Sequence, residues 1–147
     1  MNIFYFLISI IAGLAIAIQA GVNAQLQLVI KSPLVSGLVS FLIGTLAIVC
    51  VIAVSNPKSF STFSNVTNAS WWQLSGGILG AFYICSLIFV IPKFGAANML
   101  GFAVASQLIF AVLFDHYGWL GFPLHLVTWQ RILGITFLLL GVFFVRK

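Results

Sequence analysis

Five stretches of this chain stay apolar long enough to cross hydrocarbon, and that constrains the fold more than anything else in it. A transmembrane helix needs about 20 predominantly apolar residues, and the runs at residues 3–30, 33–54, 71–91, 96–114 and 129–145 meet or approach that length. Each run is continuous rather than alternating, which speaks for helices and against a strand-built barrel. The intervals carry breaking residues. Pro33, after Ser32, suits the first turn of the next helix. A polar loop rich in Ser, Asn and Thr occupies 55–70, Pro92-Lys93-Phe94-Gly95 makes a break, and 115–128 form a loop containing Gly118, Gly121 and Pro123. Trp71, Trp72, Trp119 and Trp129 all fall at run ends, where interfacial aromatics concentrate. The expectation is an all-α polytopic membrane protein: one transmembrane domain over 1–147, five membrane-crossing helices and no soluble domain.

Composition agrees. Of 147 residues, 63% are hydrophobic and 5% charged, against about 25% charged in an average soluble domain. Lipid, not water, suits such a surface. The formal charge of +5 comes from six bases and one acid. Lys31, Lys58, Lys93, Arg131, Arg146 and Lys147 each sit near the end of an apolar run rather than in one patch. Nucleic-acid binders gather bases on one face instead, so that class is excluded. No base precedes the first apolar run, whereas a cleaved signal has a charged leading region; the run is read as a retained helix. Cys50 and Cys85 lie inside apolar runs as small buried hydrophobes, without a disulfide or metal framework. There is no phosphate-binding glycine loop, nucleophile constellation or dinucleotide fingerprint, so neither an enzyme, a cofactor nor a bound metal is expected. With five crossings the termini lie on opposite faces. The C-terminal face holds Lys31, Lys93, Arg146 and Lys147, the other Lys58 and Arg131. This favours a cytoplasmic C-terminus, by a margin small enough to permit both orientations.

Small residues recur at helical spacing: Gly13, Ala17 and Gly21; Ser36, Ser40 and Gly44; Gly76 and Gly80. Such stripes let helices approach closely in lipid, and a packing role explains them. Polar residues within the runs are more telling, because an unsatisfied polar group in hydrocarbon is costly. Gln19, Asn23 and Gln27 share one face of the first helix, Asn98 opens the fourth, and Gln107 sits mid-helix there. Each serves either as interhelical hydrogen-bonding glue or as lining of an uncharged pathway; Tyr83 and Ser86 are further candidates to face a cavity. Asp115, the only carboxylate, follows the fourth run. It is read as an ion-pair partner for Arg131, or else as a proton or cation site. A metal site from Asp115, His116 and His125 matches no established spacing. The Asn-x-Ser/Thr triplets at Asn65 and Asn68 are the kind that arise by chance in such a loop.

Four segments together resemble a known family: Gln19-Ala20-Gly21-Val22-Asn23-Ala24-Gln25-Leu26; Trp71-Trp72 with Gly76-Gly77-Ile78-Leu79-Gly80; Gln107-Leu108 leading to Asp115-His116-Tyr117-Gly118; and Arg131-Ile132-Leu133-Gly134 with Gly141-Val142. In order and spacing they are similar to the YdcZ-like, five-helix branch of the drug/metabolite transporter superfamily. The resemblance covers almost the whole chain. It implies a bacterial inner-membrane protein carrying small molecules, although fold analogy fixes no substrate. The related four-helix multidrug exporters use a membrane-buried glutamate in their first helix, where this chain has Gln19 and Asn23 instead; that departure puts cation export by that mechanism in doubt.

Many transporters pair two inverted repeats about an axis in the membrane plane. Five crossings make one repeat without a partner in the same polypeptide. The expectation is therefore an antiparallel homodimer, or a dimer with a paralogue, moving a small-molecule substrate through the bilayer. The alternative is a membrane subunit that scaffolds or stabilises a partner without transporting anything.

Overall fold

The computed structural model describes residues 3–145; Arg146 and Lys147, two of the bases used in the orientation argument, lie outside the described residues. Every regular element among the described residues is helical: α1 (Ile3–Ile30), α2 (Pro33–Ser55), α3 (Trp71–Leu74), α4 (Gly76–Phe94), α5 (Ala96–Tyr117) and α6 (Trp129–Val145), with short 3-10 segments between. Among the described residues four spans are long and apolar enough to cross a membrane: α1, α2, α3 continued by α4, and α5. The apolar α6 has 17 residues, about 25 Å at 1.5 Å per residue, the short end of the spanning range. The protein is a polytopic helical membrane protein. Its chain divides into two compact units, Met1–Pro92 and Lys93–Lys147.

In the first unit, α1 stops where Lys31 turns into the left-handed region (φ 60), its N–H still bonding the Gln27 carbonyl at 2.7 Å. Ser32 then caps α2, its hydroxyl accepting from the Val35 N–H, with Pro33 at the first position. So tight a turn sets α1 and α2 against each other. Buried positions mark the packed face: Ala20 and Asn23 on α1, Ser36 and Gly37 on α2, and Ile84, Leu87, Ile88 and Ile91 on α4. The four α4 residues follow the i, i+3, i+4, i+7 rule for one helix face. Gly37 is the close approach between α2 and α4, since a Cβ there would lie 3.0 Å from Cys85 Sγ.

The segment expected as a polar loop is ordered differently. Pro57–Asn68 forms a 3-10 helix of 12 residues, long for a geometry seldom sustained beyond 3–4. Hydroxyls at three-residue spacing account for it. Ser61, Thr62, Ser64 and Thr67 each donate to the carbonyl three residues back, at 2.7–3.0 Å. Their spacing also puts exposed Phe60, Phe63 and Val66 on one stripe of a helix with three residues per turn. The Ser70 N–H then donates to Gln73 Oε1 at 2.8 Å, opening the third span. That span is interrupted at Ser75, whose hydroxyl takes the Trp72 carbonyl at 2.6 Å. At its far end the helix runs through Pro92 to Phe94. Pro92 costs only one backbone bond this near the end, and Gly95, at φ 86, makes the stop.

In the second unit, α5 continues past Phe114 to Tyr117. Asp115 is thus inside the helix rather than beyond it. A polar residue ends an apolar run, but the helix ends at Gly118, whose left-handed φ of 63 is the usual glycine stop. The rest of the connection folds back onto the helix end, with Leu120 and Gly121 also at positive φ. Phe114 lies 6.2 Å from the Trp119 ring and 6.3 Å from that of Phe122, and Tyr117 stacks on Trp119 at 5.1 Å. α5 and α6 pack together, with a close approach at Gly101, where an added Cβ would come within 3.3 Å of Val142.

Candidate functional site

α1 carries a ladder of uncharged polar groups on the face that meets its neighbours. At its middle, Gln19 joins Ser40 and Thr45 of α2 in the wall of a cavity of about 220 Å³, completed by Phe41, Ile48 and Ile84. The Gln19 amide and the Ser40 hydroxyl make no side-chain hydrogen bond to any described residue, and Thr45 bonds only its own helix, to the Phe41 carbonyl at 2.8 Å. Gly44 belongs to the same wall and leaves its Cβ position open. The cavity therefore offers neutral donors and acceptors against apolar walls, with no charge.

One turn on, Asn23 is 4% exposed, and its Nδ2 has no hydrogen-bond partner among the described residues; nor has the buried Oε1 of Gln27 a further turn along. An orphaned buried polar group costs about 1–3 kcal/mol, and more in hydrocarbon, where no water repairs the loss. The neighbouring Ser36, by contrast, is buried but satisfied, donating to the Ser32 carbonyl at 2.9 Å.

The other residues singled out from the sequence fall in separate places. Tyr83 is half-buried and adjoins Ile84, but Ile84 forms the α4 wall of the cavity. Ser86 is satisfied by the Phe82 carbonyl at 2.8 Å. Asn98 spends its amide on the Phe94 carbonyl at 2.8 Å, tying the start of α5. Gln107 lies on an exposed face of α5 and makes no side-chain hydrogen bond to a described residue. Of the small residues, Ser36 is packed and Gly80 lies beside the Phe41 ring, whereas Gly13, Gly44 and Gly76 have nothing within 4 Å of a Cβ position. Two further close approaches are made by Gly37 and Gly101. Gly37 adjoins Ser36, and Gly101 lies four from both Ala97 and Ala105, the same small-residue spacing that marked the other stripes.

Asp115 and Arg131 form an ion pair, Nη1 to Oδ2 at 3.1 Å, with side chains 24% and 34% exposed respectively. The pair is fastened to the folded connection. The His125 N–H donates to the Asp115 carbonyl at 2.9 Å, Arg131 Nη1 reaches the His125 carbonyl at 3.4 Å, and the Val127 N–H donates to His116 Nδ1 at 3.1 Å. Accepting at Nδ1 leaves a neutral imidazole its proton at Nε2. The imidazole is therefore engaged in holding the connection.

The family described as "Putative inner membrane exporter, YdcZ" matches residues 4–144. Among curated proteins, the chain is 27% identical over 139 residues to "Inner membrane protein YdcZ" of Escherichia coli (strain K12), covering 94% of this chain and 91% of that one. No solved structure matches significantly.

Proposed function

The chain belongs to the YdcZ family of inner-membrane proteins, and from that premise we propose that it is a secondary transporter exporting a small, largely apolar or weakly polar solute. The observation that carries the reading is the neutral polar ladder of α1: Gln19 in a cavity wall and, one turn along, Asn23 buried with an unmatched donor. Groups kept unsatisfied inside hydrocarbon are poor glue. They are what a passing solute with one or two hydrogen-bonding groups would require. Without a carboxylate in α1, selection rests on hydrogen bonding and apolar contact rather than charge.

A single repeat needs a second to complete a pathway with two gates, and the proposed assembly is an antiparallel homodimer or a pair with a paralogue. Two features support it. Gln107 presents an unbonded amide on an exposed face of α5, and Gly13 and Gly21 present open space on α1. Both suit surfaces covered by protein rather than lipid. The same features favour the other reading, a scaffolding subunit, so the test must separate them. Gln19→Leu and Asn23→Leu variants are reconstituted into proteoliposomes and assayed for efflux of a panel of neutral solutes, such as short amides and aromatic alcohols. Cross-linking reports assembly. Transport predicts lost efflux with assembly intact; scaffolding predicts lost assembly and no efflux from the unmodified protein.

A further inference from the structure

The second unit holds a cavity that the export reading does not use. It measures about 280 Å³ and lies between α5 and α6, with the Asp115–Arg131 pair in its wall and Leu108, Ala111, Val112 and Ile135 forming the apolar remainder. Leu108 and Asp115 are two turns apart, so the groove extends about 10 Å along the helix from the charged pair. Gly134 belongs to it and keeps it open, since a Cβ there would meet nothing within 4 Å.

The guanidinium is only partly used. Both of its hydrogen bonds leave from Nη1, to Asp115 Oδ2 and to the His125 carbonyl; Nη2 and Nε bond no described residue. Arginine meets a carboxylate best through two parallel bonds, and Asp115 takes just one. One carboxylate already rests on this guanidinium, a bidentate edge stays free, and an apolar trough begins beside it. Asp115 is also the only acid in the chain, so no other carboxylate opposes an incoming anion.

We propose that this cavity binds a medium-chain carboxylate, its head on the free edge of Arg131 and its chain along Leu108, Ala111, Val112 and Ile135. Asp115 holds the arginine in place and competes with the ligand for it. Binding here does not depend on the chain exporting anything.

The probe is decanoate, added to the purified full-length protein in a neutral maltoside detergent, with thermal unfolding as the readout; a ligand of the folded state raises the midpoint. Decanol and decyltrimethylammonium test the head group, and phosphatidylglycerol in the same micelles tests a lipid source. Decanoate is expected to raise the midpoint saturably and the other three to do little. Arg131→Gln abolishes the effect. Asp115→Asn, which removes the competing carboxylate, tightens decanoate binding several-fold. Gly134→Leu fills the trough without touching either charge and weakens binding at least ten-fold, even if Arg131→Gln does not fold. Four results would overturn the proposal: no decanoate shift, a response to phosphatidylglycerol alone, a larger shift with the cationic amphiphile, or weaker decanoate binding in Asp115→Asn. The third of these would make Asp115 the binding group and a cation the ligand.

Discussion

Replacing Asn23 with leucine separates a ligand-facing ladder from a structural one by the sign of a stability change. Asn23 is 4% exposed, and its Nδ2 has no partner among the described residues. Leucine is of similar length and carries no donor, so the substitution removes a buried, unpaired N–H. The relief is about 1–3 kcal/mol, reduced by whatever strain the rounder side chain brings. If Asn23 instead glued helices together, its loss would cost about 0.6 kcal/mol, the average for side-chain bonds between membrane helices, and up to about 1.7. The two accounts therefore differ in sign. The assay is reversible unfolding of purified Asn23→Leu and unmodified protein by a denaturing detergent in mixed micelles, monitored by tryptophan fluorescence. The expected variant is more stable than its parent by 1 kcal/mol or more (about the lower end of that relief), and defective in transport. A variant destabilised by a similar amount would refute the reasoning and return Asn23 to a packing role.

Two further outcomes follow from local geometry. Gly37→Ala places a methyl 3.0 Å from Cys85 Sγ and should cost about 1–3 kcal/mol as overpacking; most of that cost should vanish in a Cys85→Ala background, as a double-mutant cycle in the same unfolding assay would show. Phe63, 75% exposed on the stripe with Phe60 and Val66, should lie in the lipid interface, so a tryptophan placed there by Phe63→Trp should be quenched by lipids brominated high on their chains, and unchanged fluorescence would place the stripe in water.

Much of the fold is legible from the runs alone, because hydrocarbon allows a long apolar segment few conformations other than a helix. Structure departs from sequence pattern where polarity mimics the end of a helix. Asp115, His116 and Tyr117 are polar or amphipathic yet helical, because what stops a helix is a residue able to turn left-handed, and that residue is Gly118. The 3-10 segment resembles a loop in sequence for a similar reason. Ser and Thr suggested irregularity, while their three-residue spacing, which lets each hydroxyl cover a carbonyl, is itself a structural signal. The Asp115–Arg131 pair was legible because a lone acid near a membrane surface has few cations to choose from. The cavities were not. Which side chains surround Gln19, or leave an edge of Arg131 free, depends on how neighbouring helices rotate against each other, and apolar runs that are hydrophobic all round carry little information about rotation.

The central claim is that a solute pathway opens at Gln19, in the cavity wall, while Asn23 one turn on stays buried, and thiol labelling tests it most directly. Single cysteines are placed at Gln19 and at its lipid-facing neighbour Ile18, 57% exposed, in a protein whose Cys50 and Cys85 are replaced, and membranes are treated with a water-soluble maleimide, which needs a hydrated thiolate. The account predicts that position 19 is modified and position 18 is not. Equal silence at both would mean that no aqueous route meets α1, and the transport reading would fall.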